Sequence, residues 1–196
     1  SNIARIDYSN DAKGALLLEN QSTNLITYSE DFSNGVWQKI RTSISTSLFT
    51  SPSGVNNSNK VIPSITNNTH RLDFINTLTN NNSYSYSFFA KKGGVNCVQV
   101  EIGNTSIVNN FVNFNLQTGV NTNFGNATSQ IISLQNDWFR CVVFNTSSAW
   151  SGNRVLIGIG NNNIYSFAGD GTSGIYIYGA QLEQNSYATS YIPTSG

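Results

Sequence analysis

Apolar residues in this chain recur mostly at every second position. Over 83–91, Tyr84, Tyr86, Phe88 and Ala90 share one face, with Ser85 and Ser87 opposite. Over 137–146, Trp138, Arg140, Val142 and Phe144 oppose Phe139, Cys141 and Val143. A period of two marks half-buried antiparallel strands. Further strand runs cover 15–19, 70–78, 95–102, 110–116, 154–159 and 174–182, and no long stretch carries a helical period. Turn formers separate the runs: Asn34-Gly35, Ser51-Pro52-Ser53-Gly54, Asn80-Asn81-Asn82, Lys92-Gly93-Gly94, Thr118-Gly119 and Asn161-Asn162-Asn163. The pattern predicts one all-β domain over 1–196, an antiparallel β-sandwich of the jelly-roll kind. Polar, turn-rich residues 1–14, the exit through Tyr191-Ile192-Pro193-Thr194 and the lack of any Met read as a module excised from a larger protein.

Composition narrows the function classes. Charged residues make up 10% of the 196, against about 25% in an ordinary domain. Asn alone supplies about 15%. Neutral amides and hydroxyls suit sugar hydroxyls, because they donate and accept without ionic desolvation. The same bias also marks AT-rich genomes and fibrous surface proteins. Net charge is zero, and without a basic stripe counterion release cannot drive nucleic-acid binding. No apolar run is long enough for a membrane span and no signal-peptide core opens the chain, so an export signal is expected elsewhere in the parent. Seven Asn-x-Ser/Thr sequons start at Asn20, Asn56, Asn67, Asn81, Asn104, Asn126 and Asn145. In a phage or bacterial protein they read as unmodified. Cys97 and Cys141 sit in alternating apolar runs and read as small buried residues, able to pair only if their strands are neighbours.

Several residues are candidates for a binding face. On the run from His70, Arg71, Asp73 and Ile75 oppose His70, Leu72 and Phe74. Gln99 and Glu101 oppose Val98, Val100 and Ile102, while Asn113 and Asn115 alternate with Val112, Phe114 and Leu116. If these strands share a sheet, one face carries Arg71, Asp73, Gln99, Glu101, Asn113 and Asn115: either a polar groove for a glycan or an ordinary solvent face. His70 is the sole histidine, a ligand contact or a structural residue. Trp37 and Trp138 have apolar neighbours and read as core. Trp150, in the polar stretch NTSSAWSGNR, is either a stacking platform for a sugar or a cover for a sheet edge. Tyr165 and Phe167, in NNNIYSFAGDG, are loop aromatics of the same kind.

Three segments then stand out: RIDYSNDAKGALLLENQSTNLITYSEDFSN with Trp37 after it, NDWFRCVVF, and GDGTSGIYIYGAQLEQNSYATSYIPTSG. Together, from Arg5 to Thr194, they resemble a jelly-roll module frequent in tailed-phage structural and tail-fibre proteins and in some secreted bacterial proteins. The resemblance implies a virion or extracellular setting, neighbouring domains of a parent chain, and a carbohydrate-binding-like sandwich. More widely, Glu30-Asp31-Phe32-Ser33-Asn34 and Trp37 resemble the opening of carbohydrate-binding jelly rolls. In those modules the opening loop and closing strand often share a structural calcium. Glu30, Asp31 and Asp170 would be its ligands here. This chain departs at Gly179-Ala180-Gln181, where an acidic pair would be expected, and calcium needs several hard oxygens.

Catalysis finds little support. No G-x-S-x-G elbow occurs, any Ser/His/Asp triad would need His70, and no carboxylate pair has a glycosidase setting. A polysaccharide lyase using His70, a Tyr and Arg71 or Arg154 is the remote enzymatic reading. The expectation is a non-catalytic module that attaches to a polysaccharide or cell-surface glycan, or alternatively an assembly module with no sugar ligand.

Overall fold

The computed structural model describes residues 5–7, 15–17, 21–46, 49–103, 110–146 and 153–196. Among these, β1 (Arg5–Asp7) and β2 (Ala15–Leu17) pair as a two-stranded ladder. One larger sheet contains β3 (Trp37–Ile40), β6 (Asn68–Ile75), β8 (Cys97–Ile102), β9 (Phe111–Asn115), β10 (Val120–Asn123), β13 (Arg154–Gly160) and β14 (Ser166–Phe167). Its order is β10-β9-β8-β13-β6, with β3 and β14 sharing the far edge of β6. The other contains β4 (Thr42–Thr46), β5 (Asn59–Pro63), β7 (Ser83–Gly93), β11 (Thr128–Ser133), β12 (Phe139–Thr146) and β15 (Gly174–Glu183), in the order β11-β12-β7-β15-β5-β4. A 3-10 turn at Gln135–Asp137 is the only helical piece among the described residues.

The two sheets pack face to face as an antiparallel β-sandwich, as the alternation predicts. Leu72, Phe74, Val98, Val100, Val112, Phe114, Ile157 and Ile159 of one sheet meet Tyr84, Tyr86, Phe88, Val143, Ile175, Ile177 and Leu182 of the other. Trp37 closes one edge of this core, its ring centroid 4.7 Å from Phe32 and 5.3 Å from Phe74. Each run predicted as a strand contains one. The strands without a predicted run include four short or polar ones: TSIST in β4, NKVIP in β5, VNTN in β10 and TSQIIS in β11. They are edge or near-edge strands, where a solvent-facing polar surface costs nothing and the hydrophobic alternation fades. Cys97 and Cys141 lie in different sheets, buried and unpaired, and burial pushes both thiols above their ordinary pKa.

Candidate functional site

The outer faces of the two sheets differ. On the six-stranded sheet, β15 is buried along its whole length on both sides. A β-bulge between Tyr178 and Gln181 interrupts its ladder. Gly179 sits there at φ +59°, where a Cβ would press on the rings of Tyr191 and Phe89, so glycine is required. The freed main-chain groups are taken by Asn24, whose amide donates to the Ala180 and Ile192 carbonyls (3.0 and 2.9 Å) and whose Oδ1 accepts from Leu182 N (3.1 Å). Gln181 Oε1 accepts from Ile192 N (2.6 Å), and fully buried Glu183 accepts from Thr189 N and Oγ1 (3.0 and 2.6 Å). Arg140 donates to the Thr189 carbonyl (2.5 Å). The terminal segments are thereby sewn across this face. Trp138, Tyr176 and Tyr178 form a second apolar cluster, with Trp138 Nε1 donating to the Thr50 carbonyl (3.1 Å).

Glu30 joins the opening loop to the closing strand in the same seam. Its carboxylate accepts from Tyr178 Oη (2.9 Å), Tyr191 Oη (3.3 Å) and Asn57 Nδ2 (3.1 Å). Asp31 accepts from Ser33 N (3.0 Å), and Asp170 accepts from Thr172 N and Ser173 N (2.8 and 2.6 Å). Hydrogen bonds from the Ser173 hydroxyl and main chain, with Thr172, hold the Asp170 carboxyl below the usual carboxylate range. Each acid thus sits among hydrogen-bond donors. No three His, Cys, Asp or Glu side chains gather to hold a metal among the described residues.

The seven-stranded sheet presents a more open outer face, with Arg71, Gln99 and Asn113 half-buried and Asp73, Leu156 and Glu101 buried. Its register lines up Arg71, Gly158, Gln99 and Asn113 across β6, β13, β8 and β9. The adjacent outward row holds Asp73, Leu156, Glu101 and Phe111. The predicted polar face therefore assembles on one sheet. Asp73 is 2% exposed and accepts from Arg71 Nε (3.1 Å) and Arg154 Nη1 (3.2 Å). Arg154 Nη2 lies 3.9 Å from Glu101, and Gln99 Nε2 donates to Asn113 Oδ1 (3.0 Å). Both arginine side chains keep about a quarter of their surface in solvent.

Two glycines shape this face. Gly158 lies between Arg71 and Gln99, so the middle of the row has no side chain. With strands about 4.8 Å apart, the Arg71 and Gln99 backbones stand about 9.6 Å apart across this side-chain gap, or trough, and Gln99 and Leu156 come to 3.5 and 3.6 Å from where a Gly158 Cβ would stand. Gly160, two residues along β13, is covered by Tyr165: a Cβ there would come within 2.6 Å of the ring. Tyr165 Oη donates to the Val98 carbonyl (3.4 Å), and burial pushes the phenol above its ordinary pKa, keeping it protonated at neutral pH. The trough thus has a polar wall on each side and an aromatic ring at one end.

Two of the candidate site residues lie away from this face. His70 is 1% exposed, with Nδ1 2.8 Å from the Arg41 carbonyl and Nε2 2.8 Å from the Phe167 carbonyl. It shares the inward face with Leu72 and Phe74, so alternation itself turns it from any ligand. Phe167 packs against the core, with its ring 5.0 Å from His70. Arg71, Gln99, Glu101, Asn113 and Tyr165 lie on the open face as described, and Asn115 belongs to the same strand face as Asn113. Trp150 lies outside the described residues. The sequence reading missed Arg154, Leu156 and Gly158 as parts of this face. The signal was present in RVLIGIG, where an arginine, a leucine and two glycines alternate with three core aliphatics.

No protein-family model matches the chain, and no curated protein matches it significantly. Solved structures similar in shape include the enzymatically active domain of tailspike protein 4 of bacteriophage CBA120, at 11% identity and TM-score 0.48, covering 81% of this chain and 21% of that one. The CBM22-1–GH10 modules of Clostridium thermocellum xylanase 10B, complexed with xylohexaose, align at 12% identity and TM-score 0.44, over 88% of this chain and 29% of theirs. A Bacteroides thetaiotaomicron protein provisionally described as sugar-binding aligns at 14% identity and TM-score 0.40, over 85% and 95%. The chain thus spans less than a third of the first two. Similarity at this level assigns neither ligand nor reaction to this chain.

Proposed function

We propose that this chain is a non-catalytic glycan-binding module that attaches a phage virion or a secreted protein to a surface polysaccharide, and that it binds in the trough over Gly158. The carrying observation is the combination on one open face of a side-chain gap, an aromatic ring, and amide and guanidinium groups already fixed by neighbours. Tyr165 offers a ring for the C–H face of a sugar. Gln99, Asn113, Arg71 and Arg154 offer donors whose rotamers are held in advance, which lowers the ordering cost of binding. The cluster of Arg71, Arg154, Asp73 and Glu101 carries no net charge, which suits a neutral or weakly charged glycan. The resemblance to phage and secreted modules supports the attachment role.

A glycan array probed with the isolated domain tests this directly. The expected result is retention of neutral or weakly charged polysaccharide by the wild type and loss on Gly158→Val, which fills the trough. Retention that survives this change removes the site from the open face. A second reading, an assembly module without a sugar ligand, draws on one observation: the segments that carry the resemblance build the covered face, not the trough. Absence of retention on every glycan selects that reading.

A further inference from the structure

The outward row that holds Gly158, Gln99 and Asn113 continues onto β10, the edge strand of its sheet. Asn113 pairs there with Thr122, and residues directly opposite in a ladder share a face. Two residues further along, the Phe124 amide donates to the Phe111 carbonyl (2.9 Å), which carries the same register past the end of β10. Phe111 and Phe124 therefore meet on the outer face, their rings stacked with centroids 4.4 Å apart and planes 21° apart. Thr122 is exposed, and Phe124 keeps 37% of its surface in solvent. Stacking on Phe111 holds the Phe124 ring in one orientation, which lowers the ordering cost of any contact it makes.

Neutral polar groups lead from the trough to this ring. Gln99 Nε2 and Asn113 Oδ1 bond to each other (3.0 Å). Gln99 Oε1, Asn113 Nδ2 and the Thr122 hydroxyl have no protein partner among the described residues. An acceptor, a donor and a hydroxyl thus follow one another, one per strand, and suit the hydroxyls of successive sugar rings. From Gly158 on β13 to Thr122 on β10 is three strand spacings, about 14 Å, which is more than a disaccharide spans.

We infer that the site on the open face is an extended one, which takes several consecutive rings of a neutral polysaccharide across β13, β8, β9 and β10. Tyr165 contacts the chain at one end and Phe124 at the other, with Gln99, Asn113 and Thr122 between them. The inference rests on the reading of the trough as a glycan site and adds the class of ligand, an internal stretch of chain. Thr122 and Phe124 stand at the sheet edge, so the polysaccharide can run on past them.

Isothermal titration of the whole 196-residue chain tests this, with the disaccharide and the hexasaccharide of the cello-, xylo-, manno- and malto- series as probes. In at least one series the hexasaccharide is expected to bind at least about tenfold more tightly, because its second contact forms within the same complex. Phe124→Ala is expected to bring the two affinities together. Thr122→Arg, which blocks the path at an exposed position, is expected to do the same, so the test stands if either variant folds poorly. Equal affinities in every series that binds, or an advantage of the hexasaccharide that persists in both variants, overturns the inference and leaves the trough reading standing. Self-association that Phe124→Ala abolishes, with the affinity ratio unchanged, overturns it as well and assigns the aromatic pair to a second copy of the chain. Binding that survives Gly158→Val overturns the inference together with the trough reading. No binding of any hexasaccharide overturns the inference, and the glycan array then decides the trough reading separately.

Discussion

The two outer faces of this sandwich have similar raw material and opposite fates. Each carries arginine, carboxylate and amide side chains at outward positions of central strands. On the six-stranded sheet, Arg140 and Glu183 bond to Thr189 and Gln181 bonds to Ile192, and the C-terminal segment covers them. On the seven-stranded sheet, Arg71 and Arg154 bond to buried Asp73 and Gln99 bonds to Asn113, while the two arginines, Gln99 and Asn113 stay partly accessible. The difference teaches that a polar outward row does not define a binding face. What matters is whether another segment of the chain uses up its hydrogen-bonding capacity.

That contrast can be broken by mutation, since covered positions should carry stability and open ones should carry binding. Trp138→Ala, in the apolar cluster of the covered face, should cost about 3–5 kcal/mol, measured by denaturant unfolding. Glu183→Ala should come next, because it leaves the Thr189 amide and hydroxyl buried without an acceptor, at about 1–3 kcal/mol for each such group. A Glu183→Ala protein as stable as the wild type would mean that the C-terminal segment does not seal this face.

Open-face changes should act in the other direction. Tyr165→Ala should weaken glycan retention at least tenfold, about 1.4 kcal/mol, while moving the melting temperature little. Trp150→Ala sharpens the comparison: with the site in the trough it should cost less affinity than Tyr165→Ala, and the reverse order in the same binding assay would return the platform to that loop. The smallest effect expected is that of excess chelator, which should leave the melting curve unchanged. A ligand bound only by the folded state stabilises it, so a clear drop would show that Glu30, Asp31 or Asp170 holds a cation after all.

Much of the open face was legible beforehand. Alternation in HRLDFI, CVQVEI and FVNFN sorted Arg71, Asp73, Gln99, Glu101 and Asn113 onto one side of their strands, because a period of two leaves no other choice once Leu72, Val98 and Phe114 are buried. His70 was misplaced as a candidate for a reason of the same kind. Its composition suggested chemistry, whereas its parity with Leu72 and Phe74 already pointed inward. The resemblance drew attention to Glu30 and Gly179-Ala180-Gln181, but those residues serve the seam between the termini and β15. Segments of this sort report what the architecture needs.

By itself the sequence determined the fold class, the strands with strong alternation, the burial of Trp37 and Trp138, and the side of each strand that faces water. These are local properties, set by residue type and by the period of the backbone. Only the tertiary structure decided that β13 runs between β6 and β8, so that Gly158 opens a gap between Arg71 and Gln99 and Arg154 reaches both Asp73 and Glu101. It also decided that one polar face is closed and the other open. Strand order and the path of the terminal segments depend on contacts between residues far apart in the chain, as between Asn24 and Ala180, and no local pattern of hydrophobic and polar positions encodes them.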